Sequence, residues 1–320
     1  MAKLKLALYW AASCGGCDVA VLDINEKILD VAKLADIVFW PIALDFKYHH
    51  VEAMPDKSID VCLYNGAVRS TEQEHVAKML RAKSKVMVAF GSCACFGGIP
   101  ALANFASRAE IMERVYIEAP SNENPNKTLP QTKWKVDEGE LTLPELYDDV
   151  LTLAQVVPVE YFVPGCPPTV DLILKVVNAL ATNSLPPPGA VIASDKTLCD
   201  ECERKKENKK ITRIYRTHEI IPDPEKCLLE QGLLCMGPAT RGGCGALCVK
   251  VNIPCRGCFG PPPGVADQGA KFVGAVASIY DASSKEDIEK MVNEVVDPAG
   301  TFYRFGMSIS MLKRKHLQRK

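Results

Sequence analysis

The sequence predicts an α/β chain: a doubly wound, mostly parallel sheet, then a cysteine-rich segment with little regular structure, then C-terminal helices. Three observations carry that expectation. Short apolar runs alternate with amphipathic stretches through the first half, as strands and helices do in a parallel sheet covered on both faces. A break at Asn183-Ser-Leu-Pro-Pro-Pro-Gly189 ends the alternation, because three prolines cannot continue a helix. Beyond it, residues 199–258 hold eight of the fourteen cysteines and show little strand or helix periodicity.

In chain order, Leu4–Trp10, Asp36–Ile42, Ile59–Tyr64, Lys85–Phe90 and Val159–Val163 read as buried strands. Each is short, rich in branched or aromatic residues and bounded by turn formers. Between them, residues 18–34 place Val19, Leu22, Ile28, Val31 and Leu34 on one helical face. Residues 71–82 do the same with Val76, Met79 and Leu80, and 169–182 with Val170, Leu172, Ile173, Val176, Val177 and Leu180. The stretch from about 104 to 158 interrupts the alternation. Its centre, Ala119-Pro-Ser-Asn-Glu-Asn-Pro-Asn126, reads as an exposed excursion. Ser283-Ser-Lys-Glu286 resembles a capping box that opens a helix carrying Ile288, Met291 and Val292. The expected domains are residues 1–185 and 190–320.

With 320 residues, 48% of them hydrophobic, the chain can bury a sizeable core or two. A formal net charge of −1 gives no global reason to expect nucleic acid or an anionic membrane as partner. No stretch approaches the roughly 20 apolar residues of a membrane span. The opening Met1–Trp10 lacks a cleavage site and a twin-arginine pair, so a cytoplasmic protein is expected. In a reducing compartment fourteen thiols point to metal binding or redox work rather than disulfides.

Four cysteines fall at three expected strand ends. Cys14 and Cys17 follow the first strand, Cys93 follows the fourth in Phe90-Gly-Ser-Cys-Ala-Cys-Phe-Gly-Gly-Ile-Pro100, and Cys166 follows the fifth. A doubly wound sheet gathers these places at its carboxyl edge, where ligands bind. Glycines there allow close backbone approach, and helix amino termini favour an anionic group such as a thiolate-bound cluster. Four thiolates are what a 4Fe–4S cluster needs. The glycine spacing at Gly97-Gly98 is not that of a dinucleotide fingerprint.

Cys199, Cys202, Cys227, Cys235, Cys244, Cys248, Cys255 and Cys258 supply two further sets of four. Paired Cys-x-x-Cys units suit structural zinc as well as iron–sulfur clusters, and spacing leaves both readings open. The compact Cys run of a two-cluster ferredoxin is missing.

Together these residues resemble the small subunit of nickel–iron hydrogenases. Cys14-Gly-Gly-Cys17, Gly91-Ser-Cys93-Ala with Gly97-Gly-Ile-Pro100, and Gly165-Cys166-Pro-Pro168 match that family's proximal-cluster motifs. The later series matches its distal and medial motifs, most specifically at Pro254-Cys-Arg-Gly-Cys-Phe-Gly-Pro261. The resemblance implies a flavodoxin-like sheet domain followed by an iron–sulfur domain, with three 4Fe–4S clusters. Cys14, Cys17, Cys93 and Cys166 would hold the proximal cluster. Cys199, Cys202, Cys227 and Cys235 would hold the distal one, and Cys244, Cys248, Cys255 and Cys258 the medial one. Many relatives have His where Cys199 stands and Pro where Cys248 stands. The thiolates here make the clusters more anionic and imply lower potentials, within a class spanning roughly −700 to +450 mV.

That pattern and the ending Asp297-Pro-Ala-Gly-Thr-Phe-Tyr-Arg-Phe-Gly306 are similar to the cytoplasmic methyl-viologen-reducing branch. The resemblance then implies no catalytic residue on this chain. Its partners would be a nickel–iron large subunit, which activates hydrogen, and an iron–sulfur acceptor subunit linked to a flavin-containing heterodisulfide reductase. Three alternatives differ in class: the small subunit of another cytoplasmic hydrogenase (deazaflavin-, NAD(P)- or sulfur-reducing), a quinone-reductase-like cluster subunit, and a binding scaffold with structural zinc. The quinone-reductase group typically has adjacent cysteines instead of Cys14-x2-Cys17.

Cys62 reads as a small hydrophobe in a strand, and Cys95 as either packing or a thiol beside the proximal ligands. Asp18 reads as either part of a hydrogen-bond path or a helix-N-terminal acid. His49, His50, His75, His218 and His316 show no metal spacing. Arg204, Lys205, Lys206, Lys209, Lys210, Arg213 and Arg216 outnumber the acids Asp200, Glu201, Glu203 and Glu207. They read as a solvated loop or as a docking patch for an acidic acceptor. The basic end Lys313–Lys320 reads as solvated.

Overall fold

A computed structural model describes residues 3–312; the basic end and His316 lie outside the described residues. Six parallel strands form the main sheet: β1 (Leu4–Trp10), β2 (Ala35–Phe39), β3 (Ile59–Asn65), β5 (Ser84–Phe90), β9 (Tyr161–Val163) and β10 (Ala190–Val191). Their spatial order is β10-β9-β5-β3-β1-β2, the flavodoxin-like order with one strand added. β3 is buried along nearly its whole length, as expected of a central strand covered on both faces.

Helices α1 (Gly16–Leu22), α2 (Ile28–Leu34), α3 (Tyr48–Glu52), α4 (Thr71–Lys83), α5 (Ser92–Phe96) and α7 (Val170–Ala181) accompany the sheet. One core packs Phe39, Tyr64, Leu80 and Met87 on one face, and another packs Leu8, Phe90, Ile173 and Phe259 on the other. Cys62, fully buried, belongs to the first, and burial pushes its thiol up to about 12. Ser70 and Thr169 cap α4 and α7, each accepting a backbone N–H at 3.3 Å.

The predicted helix over 18–34 is two helices separated by a 3-10 turn at Asn25–Lys27. Asn25 adopts a left-handed φ of 55° there. The break rotates the predicted face, so Val19 and Leu22 are 57% and 55% exposed. The strand expected to reach Ile42 stops at Phe39, because Trp40 starts a turn that its carbonyl closes with the N–H groups of Ala43 and Leu44.

The excursion is partly ordered. It contains α6 (Arg108–Glu113), a hairpin of β6 (Lys133–Val136) and β7 (Gly139–Thr142), and β8 (Leu146–Leu151). β8 pairs antiparallel with the short β4 (Val68–Ser70).

Residues 199–258 form turns and one short helix, α8 (Leu247–Lys250). Their core of Leu228, Leu233, Met236 and Phe272 is completed by α9 (Gln268–Ile279). α10 (Lys285–Glu294) and α11 (Pro298–Phe302) follow. The capping box of α10 is one residue later than expected. Ser284 caps it and pairs with Asp287, which is at the third helical position where Glu286 is not.

Candidate metal-cluster sites

β1, β5 and β9 run parallel, so their carboxyl ends bring Cys14, Cys17, Cys93 and Cys166 to one edge. After β1, the Trp10 indole donates to Ser13 O at 3.0 Å. Gly15, at φ 79°, lies so close to that indole that a Cβ would stand 3.3 Å from the ring. The chain then enters α1, whose first turn carries Cys17, and Gly16 N donates to Cys14 Sγ at 3.4 Å. After β5, Gly91 N donates to Val163 O at 2.8 Å and Ser92 N to Gly165 O at 2.7 Å, locking the Cys93 turn onto the Cys166 turn. A Cβ on Gly91, whose φ is 86°, would stand 2.3 Å from Cys17 Sγ. One on Gly98 would stand 2.5 Å from Cys93 Sγ.

The thiols feel one another. Burial pushes the Cys93 thiol up to about 12, and the neighbouring Cys166 and Cys14 add to it. Burial raises Cys17 further still, helped by Cys93 and Cys166. Cys14 and Cys166 are exposed, whereas Cys17 and Cys93 are buried, so the group opens on one side of the molecule. Cys95 is not part of it. Its Sγ donates to Ala89 O at 3.2 Å within the first core, which is the packing reading. Asp18 is 7% exposed and accepts the Trp40 indole N–H at 2.9 Å and an Asn65 amide N–H. Burial outweighs those bonds and raises its pKa.

Cys199, Cys202, Cys227 and Cys235 line a second cavity of about 240 Å³, closed by Leu198, Leu228 and Ile279. Cys199 sits on a 3-10 turn that Asp200 caps by accepting Thr197 N at 2.9 Å. A Cβ on Gly237 would lie 3.0 Å from Cys199 Sγ and 3.8 Å from Cys235 Sγ, so glycine leaves the space between the two sulfurs open. Burial pushes Cys199 up to about 12 against the lowering effect of Lys206, which lines the same cavity.

The third group is Cys244, Cys248, Cys255 and Cys258. Backbone N–H groups of Ala246 and Leu247 face Cys244, and that of Gly257 faces Cys255. Burial pushes Cys258 up to about 12, with Cys244 adding to it. Two contacts tie the groups to one another. The N–H of Cys166 faces the Cys258 thiol, and Cys255 N donates to Cys235 Sγ at 3.4 Å.

The residues fit iron–sulfur clusters on chemical grounds. All three groups are all-thiol donor sets with backbone N–H groups aimed at sulfur, the environment that stabilises cluster-bound thiolates. Buried thiols that repel one another as thiolates need a cationic centre to hold them together. Among the described residues, no three His, Cys, Asp or Glu side chains stand close enough to share one metal ion.

The expected basic patch is largely spent internally. Arg204 donates to the carbonyls of Val249 (2.8 Å) and Asp223 (2.9 Å), bracing the loops around the second cavity. Arg213 pairs with Glu219 at 2.9 Å, Lys205 with Glu225 at 3.5 Å, and Lys209 with Glu207. The surplus seen in sequence comes from counting charges without their distant partners. His49 and His50 meet edge to face with ring centroids 4.3 Å apart, and His75 lies 3.6 Å from Glu52; neither arrangement touches a cysteine group. Sequence reasoning missed Ser92, whose hydroxyl donates to Cys258 O at 2.5 Å across 166 residues of chain.

No helix among the described residues is long and apolar enough to cross a membrane. Residues 14–180 match the family model described as NADH ubiquinone oxidoreductase, 20 Kd subunit. The chain is 46% identical over 318 residues to the iron-sulfur subunit of the F420-non-reducing hydrogenase of Archaeoglobus profundus, covering 98% of each. It is 35% identical to the corresponding F420-non-reducing hydrogenase subunit of Methanothermobacter thermautotrophicus, covering 98% of this chain and 97% of that one. Its fold is similar to a chain of the recombinant [NiFeSe] hydrogenase from Desulfovibrio vulgaris Hildenborough. There the TM-score is 0.52 at 16% identity, over 88% of this chain and 99% of that one.

Proposed function

The chain belongs to the family of F420-non-reducing hydrogenase iron–sulfur subunits, and from that premise we propose that it relays electrons through three 4Fe–4S clusters held by twelve of its cysteines. As a hydrogenase small subunit it is part of an oxidoreductase, and the hydrogen-activating site belongs to the large subunit.

The single observation that carries the proposal is the chain of contacts between the three thiol groups. Cys14, Cys17, Cys93 and Cys166 would hold the proximal cluster, with the exposed Cys14 and Cys166 turned toward the large subunit. Cys244, Cys248, Cys255 and Cys258 would hold the medial one, and Cys199, Cys202, Cys227 and Cys235 the distal one. When bound, such clusters supply reversible one-electron transfer. The protein's own residues fix the spacing, exclude water and set the potentials. Leu198, Leu228 and Ile279 wall off the distal cavity, and the N–H groups facing Cys244, Cys255 and Cys258 stabilise negative charge on sulfur.

The acceptor side follows from the resemblance in sequence. An iron–sulfur subunit linked to a flavin-containing heterodisulfide reductase would take electrons from the distal cluster, in the cytoplasm. The cations left for docking it are fewer than the sequence suggests, with Lys206 and Arg216 foremost.

Anaerobic affinity purification of the tagged chain from its native host tests this reading. The expected result is a nickel-containing larger chain and an iron–sulfur acceptor chain in the same complex, with hydrogen-dependent dye reduction. A chain that purifies without nickel protein and contains zinc in place of iron would overturn it.

A further inference from the structure

A cavity of about 920 Å³ lies at the carboxyl edge of the sheet, between β4, α4, α6 and the β6–β7 hairpin. Three cations line it. Arg108 is met by Glu145 at 2.8 Å, and Lys133 by Glu140 at 3.1 Å. The Nε of Arg69 is shut off from water and makes no hydrogen bond. Burial alone lowers the guanidinium pKa, with no acidic neighbour to hold it up. Gln73, an amide on α4 that lines the same cavity, spends its side-chain oxygen on the backbone N–H of Arg69 at 2.8 Å.

A buried donor left without an acceptor is costly, and a partner that accepts from Arg69 relieves that cost. The half-buried guanidinium, its pKa lowered by burial alone, can therefore take an acceptor from outside the chain. We propose that this cavity receives a carboxylate side chain of the hydrogenase large subunit, which pairs with Arg69 when the two chains dock over the Cys14 site.

Position selects that occupant. Ala12 lines the same cavity and stands two residues before Cys14. It exchanges two backbone hydrogen bonds of 3.0 Å with Ala67, two residues before Arg69. A chain covering Cys14 therefore reaches the cavity mouth. Exposed Tyr116, Leu129 and Leu143 line the same cavity, so an acidic residue flanked by apolar ones fits it. A carboxylate matches the planar donor fork of arginine in two parallel bonds, which an ammonium cannot reproduce.

The inference rests on the proposed pairing with a large subunit, and the test separates the two. Wild type, Arg69→Gln, Arg69→Lys and Arg69→Glu are expressed with the large subunit, and iron content and complex dissociation are measured for each. Expected are unchanged iron and dissociation on the order of thirtyfold or more easier for Arg69→Gln. Arg69→Glu should be weaker still, with partial recovery in Arg69→Lys. If wild type forms no complex, the functional reading fails. If wild type forms one and Arg69→Gln holds as tightly, the Arg69 pairing fails alone. Inorganic phosphate or acetate that stabilises the free wild-type chain but not Arg69→Gln, with complex affinity unchanged, would assign the cavity to a free anion and also overturn the pairing.

Discussion

The backbone N–H of Cys166 faces the sulfur of Cys258, so the residue that closes the proximal group touches the one that closes the medial group. Ser92, next to Cys93, reinforces this by donating its hydroxyl to Cys258 O. On the far side Cys255 N donates to Cys235 Sγ at 3.4 Å, joining medial to distal. Each junction between groups is thus a hydrogen bond to a candidate ligand rather than a gap filled by side chains.

Ser92 is 1% exposed, and removing its hydroxyl strands the Cys258 carbonyl. Ser92→Ala is expected to lower stability by about 1–3 kcal/mol. It should keep full iron content yet slow electron passage from proximal to medial cluster severalfold. Rapid freeze-quench paramagnetic resonance after exposure of the complex to hydrogen measures the rate. Unchanged transfer would show that the Ser92 contact is structural only.

Gly91 packs directly against Cys17 Sγ. Gly91→Ala puts a methyl 2.3 Å from that sulfur at a φ of 86°, and both backbone strain and the clash oppose it. The expected loss is about four irons, the content of one cluster, with the other eight retained. Gly274→Ala on α9 is the control, since a Cβ there meets nothing within 4 Å. It should retain all iron and gain up to about 1 kcal/mol from helix propensity.

Lys206 lines the cavity of the distal cysteines and lowers the Cys199 pKa. Replacing it with Gln removes a positive charge that favours the reduced, more negative cluster. The distal potential should therefore fall by tens of millivolts, where about 59 mV corresponds to 1.4 kcal/mol for one electron. A redox titration followed by paramagnetic resonance reads the shift. A rise, or a change at the proximal cluster instead, would contradict the placement.

Asp267 ties the start of α9 to Ser310 and Met311. It accepts Ala270 N at 2.9 Å, Ser310 Oγ at 2.6 Å and Met311 N at 2.9 Å. Burial alone would raise its pKa, but these bonds outweigh it and the carboxyl is held below its ordinary value. A depressed carboxylate stabilises the fold above its unfolded pKa of about 3.9 and loses that contribution as pH falls through the folded value. Wild type should therefore lose stability over the acidic range below about pH 4. Asp267→Asn should be less stable at pH 7 and show a flatter acid limb, as thermal melts across pH will test.

Much of this is legible in the sequence because it is local or periodic. The first strand, Leu4–Trp10, matches its expected bounds to the residue, and the carboxyl-edge rule places Cys14, Cys17, Cys93 and Cys166 along one edge of the sheet, after β1, β5 and β9. The long helix expected over 18–34 breaks because apolar spacing does not register a left-handed residue such as Asn25. β10 escapes notice since two residues after a proline run carry no pattern of their own. The basic loop looks richer in charge than it is because Glu219 and Glu225, which neutralise Arg213 and Lys205, lie well beyond Glu207. Arg69 and Ser92 leave no signal, as their meaning lies in what surrounds them and not in their spacing.

Metal and acid-labile sulfide analysis of the anaerobically purified chain tests the central claim most directly. The account predicts about twelve irons and twelve sulfides per polypeptide. It also predicts that Cys93→Ser, Cys199→Ser and Cys258→Ser each perturb a different one of three reducible paramagnetic signals. Zinc in the second and third groups, with only about four irons in all, would contradict it.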